Sequence, residues 1–234
     1  MGLVAGTLSG IVGFGSSIML MPVLVIVFGP VQAVPIMGIA AVMANLARIL
    51  AWWREVDWRA CAAYSVSAMP AVAFGVATLL ALPARVVEGA LGVFFILMIP
   101  ARRWFAAHGL RLGVRGLALL GAPIGFLTGV VVTTGPITVP IFLAYGLVKG
   151  GFIATEAAAS LAVYLVKIAA FQGFGALPLK VVVEGLITGS SLMAGAFVAK
   201  RFVLKLEPDR FRLLMEGLML ASGVAMLWAA AVGD

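Results

Sequence analysis

Gly13-Phe14-Gly15-Ser16-Ser17-Ile18-Met19-Leu20-Met21-Pro22 interrupts one long apolar segment, and Thr133-Thr134-Gly135-Pro136-Ile137-Thr138-Val139-Pro140 interrupts another in the second half of the chain. Glycine, proline and hydroxyl side chains break helices more readily than they extend them. In a bilayer every backbone amide and carbonyl needs a partner, so a break is tolerated only where protein or a water-filled cavity surrounds it. Paired breaks at corresponding places in two halves therefore point to a binding site at membrane depth, the pattern expected of a transporter.

Composition settles the class. Of 234 residues, 64% are hydrophobic and 11% charged, whereas soluble domains carry about 25% charged residues. The chain reads as an integral membrane protein whose first partner is the lipid bilayer. Its net charge of +7 would suit nucleic acid, but the basic residues lie between apolar runs without interleaved stacking aromatics, so no nucleic-acid partner is expected. Cys61 is the only cysteine, which excludes a disulfide framework, a CxxC pair and a thiolate metal site. No metal and no cofactor is expected. The chain opens in an apolar segment without a basic leader, so no removable signal peptide is expected.

The apolar segments cover 2–28, 31–51, 58–81, 84–101, 113–147, 151–171, 179–203 and 211–232. Six of them approach the length of a spanning helix, about 20 residues; segments 2–28 and 113–147 are instead pairs of short runs joined at the breaks. The halves repeat. Gly2, Gly6, Leu8 and Gly10 stand opposite Gly121, Gly125, Leu127 and Gly129 at an offset of 119, with Ser9 opposite Thr128. Pro22 stands opposite Pro140 at an offset of 118, which sets Gly15 and Ser16 against Thr133 and Thr134. Pro83, Arg85 and Gly92 stand opposite Pro208, Arg210 and Gly217 at an offset of 125. The shared order reads as an internal duplication, with a first repeat over 1–112 and a second over 113–234. The first repeat lacks the residues that precede Gly121 in the second, so its first arm is expected to fall short of a full hairpin.

Charge placement orients the repeats. If both broken segments crossed the membrane fully, nine basic residues would lie inside and seven outside. If each enters and leaves on one side, the repeats are inverted and thirteen basic residues lie inside, with only Arg85, Lys167 and Lys180 toward the outside. Lysine and arginine concentrate on the cytoplasmic side. The expected fold is therefore an all-α integral membrane protein of two inverted repeats, each a re-entrant helical hairpin plus three transmembrane helices. Hairpin 2–28 is followed by helices 31–51, 58–81 and 84–101 and a basic cytoplasmic loop; hairpin 113–147 is followed by helices 151–171, 179–203 and 211–232. Both termini are expected outside. Arms of about 11 to 13 residues in the first hairpin reach roughly 17 to 20 Å, against a hydrocarbon core of about 30 Å.

The second arms then begin near the midplane, at Ser16 or Ser17 and near Pro136. Serine and threonine are good N-caps and proline suits the first helical position. A helix start offers N–H donors and about half a unit of positive charge, an anion site that needs no charged side chain. The candidate substrate-binding residues are Gly15, Ser16, Ser17, Thr133, Thr134 and Gly135 at the breaks. Arg48 and Lys167, related by the offset of 119, are candidates for drawing anions in, and Asn45 and Tyr164, one turn before each, for supplying donors. Ordinary roles stand beside these: capping for the hydroxyls, snorkelling to the interface for the cations. Glu156 and Glu184 are the acids most nearly inside helices, and Lys180, four residues before Glu184, points to an ion pair. Trp52, Trp53 and Trp58 read as interfacial anchors. Gly185, Gly189 and Gly195 read as sites of close helix packing.

The run from Gly6 to Pro22, Gly-x-x-Ser-Gly-x-x-Gly-x-Gly followed by proline, resembles the signature of the sulfite exporter TauE/SafE family, and the duplicated 121–140 segment and the overall size agree. The resemblance implies a multi-pass transporter of the cytoplasmic membrane whose substrate is a small organosulfur species or sulfur oxyanion such as sulfite. Ser16 or Ser17 stands where the third glycine of that motif is usual, and the second segment is rich in threonine, so hydroxyls are expected in the pocket. Enzyme chemistry is not expected: the only histidine, His108, lies in a basic loop, and HExxH, GxSxG and paired aspartates are missing. The alternatives are a transporter of another small anion, such as a carboxylate, and a non-transporting membrane assembly protein. The latter gives no reason to break two helices at one depth. The sequence carries no mark of an oligomeric state.

Overall fold

A computed structural model of the protein describes residues 20, 24–25, 27–108, 111–131, 134–202 and 208–232. Gly15, Ser16, Ser17 and Thr133 lie outside the described residues, as does nearly all of the first broken segment. From Pro30 onward the chain folds into helices α1 Pro30–Trp52, α2 Trp58–Ala81, α3 Ala84–Ala107, α4 Val114–Val130, α5 Gly135–Ala144, α6 Lys149–Gly173, α7 Leu179–Phe202 and α8 Pro208–Val232. The described residues contain no strand. Four stretches are long and apolar enough to cross a membrane: Val31–Glu55, Trp58–Ala81, Ala84–Ala101 and Gly150–Gly173. Helices α7 and α8 have the length, 24 and 25 residues, but their first halves carry Lys180, Glu184, Asp209, Arg210, Arg212 and Glu216.

Expected and observed bounds agree within three residues for the unbroken segments, with one exception. Helix α3 runs to Ala107 where an end at 101 is expected. Charged residues do not stop a helix, and Arg103 on the extra turns is bound to Glu216 of α8, its Nε donating at 3.1 Å. Segment 113–147 is broken as expected: α4 ends at Val130, Val131 is extended with φ −98° and ψ 168°, and α5 restarts at Gly135-Pro136.

Local chemistry sets the helix starts. The Asp57 carboxylate caps α2, accepting from Arg59 N and Ala60 N at 3.0 Å each. Its own amide donates to Thr155 Oγ1 of α6 at 2.9 Å, which ties the basic α1–α2 turn to α6. Gly29, with φ +76°, provides the left-handed turn that admits Pro30 at the start of α1.

Packing rests on small residues, because lipid supplies no hydrophobic drive between helices and close approach supplies the attraction. Gly121, Gly125 and Gly129 form one stripe of α4. A Cβ there would meet Tyr64 O at 2.5 Å, Ala68 O at 2.4 Å and Val72 O at 2.4 Å respectively, so the stripe lies directly on the α2 backbone. The second-half glycines of the pattern read from the sequence as a duplication are thus contact surfaces. Gly185 of α7 lies against the Ile39 side chain of α1, and Gly189 against the Met43 side chain and the Ala40 backbone.

The relative direction of two pairs of helices follows from their contacts. Gly38 of α1 faces Ile168 of α6 while Arg48 of α1 pairs with Glu156 of α6, so α1 and α6 are antiparallel. Arg85 of α3 donates to Ala230 O of α8, Gly92 faces Gly223, and Arg103 pairs with Glu216, so α3 and α8 are antiparallel as well. Helix α1 also packs on α7, and α6 on α2. Val66, Phe74, Leu119, Leu179 and Ile187 point outward, as lipid-facing side chains do.

Candidate functional site: a buried polar column beside the broken helix

The break between α4 and α5 is closed at its base. Leu112 N–H, just before α4, donates to Ala144 O at the end of α5 at 2.9 Å. The two arms differ in length, 17 residues against 10, or roughly 25 and 15 Å at 1.5 Å per residue.

At the tip, Thr128 Oγ1 donates to Ile124 O at 2.7 Å and lies 2.6 Å from Thr134 Oγ1. With the Thr128 proton so engaged, the Thr134 hydroxyl donates to it. Lys167 of α6 reaches the same point: its Nζ donates to Thr128 O and, at 2.9 Å, to Val131 O. These carbonyls lie at the C-terminal end of α4, where the helix leaves acceptors unpaired and its dipole is negative. Lys167 is 0% exposed, which rules out snorkelling for this residue. Among the described residues no carboxylate lies within ion-pair distance of it. The Tyr164 ring, one turn earlier on α6, has its centroid 5.9 Å from Nζ.

One turn along α5 a second layer begins. Thr138 lies four residues after Thr134, on the same helix face, and its hydroxyl donates to Glu156 Oε1 at 3.3 Å. Ser160 donates to the same oxygen at 2.9 Å. The other oxygen, Oε2, accepts from Arg48 NH1 at 2.9 Å, while Arg48 NH2 donates to Asn45 Oδ1. Arg48 and Glu156 side chains are 13% and 5% exposed. Arg48 Nε is buried and makes no hydrogen bond among the described residues.

The sequence-based candidates therefore fall into two neighbouring groups. Thr134, Gly135, Tyr164 and Lys167 gather at the tip, and Asn45 and Arg48 belong to the layer beside it. The start of α5 differs from the expectation in detail. Pro136 has no N–H, and Ile137 and Thr138 N–H both donate to Thr134 O, so much of the polar character of the tip comes from hydroxyls and the Lys167 ammonium. Thr128, Thr138, Glu156 and Ser160 are absent from the expected site. Their signal is spacing: Thr134 and Thr138, and Glu156 and Ser160, stand four apart inside apolar segments, where a polar residue faces protein or a cavity. Away from the column, Lys180 and Glu184 form the expected ion pair at 3.9 Å, and Trp52, Trp53 and Trp58 are exposed, as interfacial anchors are.

Comparison with known proteins gives a family match along nearly the whole chain: the profile described as Sulfite exporter TauE/SafE covers residues 1–226. No curated protein and no solved structure matches the chain.

Proposed function

The chain belongs to the sulfite exporter TauE/SafE family, multi-pass membrane transporters of sulfite or related anions, and from that premise we propose a secondary transporter that moves small sulfur oxyanions or organosulfonates across the cytoplasmic membrane by alternating access. Lys167 carries this reading. A buried ammonium held by two neutral carbonyls is left with most of its charge, and an uncompensated buried charge costs several kcal/mol. A substrate anion at the hairpin tip offsets that cost. Thr134 and Gly135 line the tip from one side; Gly15, Ser16, Ser17 and Thr133, which lie outside the described residues, are the further substrate contacts the sequence proposes.

Helix directions support the re-entrant, inverted arrangement. If segment 113–147 crossed the membrane fully, α1 and α6 would run parallel, as would α3 and α8, given a matching first half. They run antiparallel. The packing of α1 on α7 and of α2 on α6 is also mutual under exchange of the two halves, as a two-fold relation between repeats requires. In such proteins the substrate lies where broken helices meet and the halves rock about it. An inside-negative potential favours anion exit by about 2.3 kcal/mol per charge per 100 mV, so export requires no coupling ion.

The test is flux of sulfite and methanesulfonate in proteoliposomes, with Gly135→Leu as the blocked control and reporter fusions at Asp234 and near Arg103 and Lys205. Flux in the wild type, loss in the leucine variant, an external C-terminus and internal loops are expected. Absence of anion flux, or an internal C-terminus, overturns the proposal.

A further inference from the structure

The Arg48 and Glu156 pair lies one turn of α5 away from the hairpin tip. Thr134 and Thr138 share one face of α5; the first belongs to the tip and the second touches Glu156. Two features distinguish this pair from a simple structural bridge. Glu156 divides its oxygens, Oε2 to Arg48 and Oε1 to Thr138 and Ser160, so it keeps two partners when it releases the arginine. Arg48 keeps a buried Nε donor unused among the described residues, and Asn45 steadies its NH2. A planar guanidinium fork matches the two-oxygen edge of a carboxylate, a sulfite or a sulfonate equally well.

We propose that Arg48 is a second anion station, adjacent to the hairpin tip, and that the Glu156 carboxylate is a tethered competitor occupying it until a translocating oxyanion displaces it onto Thr138 and Ser160. The inference rests on the chain being an anion transporter and adds what governs passage beyond the tip. The tether raises the anion concentration needed to fill the second station. It also links α1, α5 and α6 while no substrate anion is there, through the Arg48, Glu156 and Thr138 contacts of this layer. The ligand class is a small oxyanion able to present two oxygens on one edge.

Glu156→Gln tests this. The amide keeps the shape and loses the charge that competes with the anion. Removing a charged hydrogen-bonding rival lowers the apparent Kd for sulfite and methanesulfonate by about tenfold or more, read by anion-dependent thermal shift of the purified protein and as a lower half-saturation concentration for flux in proteoliposomes. Arg48→Gln in the same background abolishes the gain. Glu156→Asp, whose carboxylate is one methylene shorter and keeps its charge, gives a smaller gain and decides the matter where the glutamine variant does not fold. A merely structural pair predicts weaker binding from either variant. Wild-type flux with unchanged or weaker anion binding in the Glu156 variants overturns the inference alone, whereas absence of wild-type flux overturns the transport reading and the inference with it.

Discussion

Arg48 and Lys167 occupy corresponding places in the two halves, 119 residues apart, and each follows a polar or aromatic partner by one helical turn. They are held in opposite ways. Arg48 faces the Glu156 carboxylate, a full counter-charge, whereas Lys167 faces the carbonyls of Thr128 and Val131 at the end of α4. The cation of the first half is balanced by a carboxylate from the second; the cation of the second half has only the partial charge of a helix terminus. The contrast teaches that matching positions in two halves of a chain can carry the same charge without sharing what balances it. It also separates a cation already balanced by protein from one that an incoming anion stabilises.

Breaking the balanced pair has the largest expected effect. Arg48→Met leaves Glu156 buried without its cation and costs about 3–5 kcal/mol of stability; Arg48→Met combined with Glu156→Leu recovers most of it, measured by thermal unfolding in detergent. A double variant no more stable than the single one contradicts a balanced pair. Lys167→Met is expected to disturb folding less, since it removes a charge with no carboxylate partner among the described residues, and to reduce anion affinity by roughly a hundredfold, about 2.7 kcal/mol. Affinity retained within a few-fold would locate the anion elsewhere. Thr128→Val removes the hydroxyl that links the two arms at the tip and is expected to weaken anion binding by about 1 kcal/mol, roughly fivefold, with little change at the Arg48 layer. The pair of exposed Arg103 with buried Glu216 sharpens the contrast from the other side. Arg103, 65% exposed in its side chain, has its pKa raised by the hydrogen bonds it donates to Glu216; Arg103→Gln should give the smallest change of the set, and one that shrinks as salt is added.

Much of the helical plan was legible because a membrane imposes a length and an apolar composition on anything that crosses it. The starts and ends of α2 and the break at Thr134-Gly135-Pro136 fall where capping and proline chemistry put them. The repeated glycines were legible as a pattern but not as a contact. That Gly121, Gly125 and Gly129 lie on the α2 backbone depends on which helix stands beside α4, and periodicity within one helix cannot name its neighbour. Lys167 was legible as a candidate, yet only six residues before the end of α6 it looked free to snorkel; its burial follows from the tip of a different segment closing over it.

What the sequence by itself determined is the all-helical membrane class, the family and the break at Thr134-Gly135-Pro136; the duplication and the sidedness are readings of the same sequence. Each is written in short-range composition or in a comparison of the chain with itself. The partners of the buried charges were decided only by tertiary structure. Glu156 lies 108 residues from Arg48, and Lys167 lies 39 from Thr128, distances over which sequence pattern carries no pairing rule. In a low-dielectric interior the energy of a charge depends on what stands within a few ångströms of it, and that is set by helix packing.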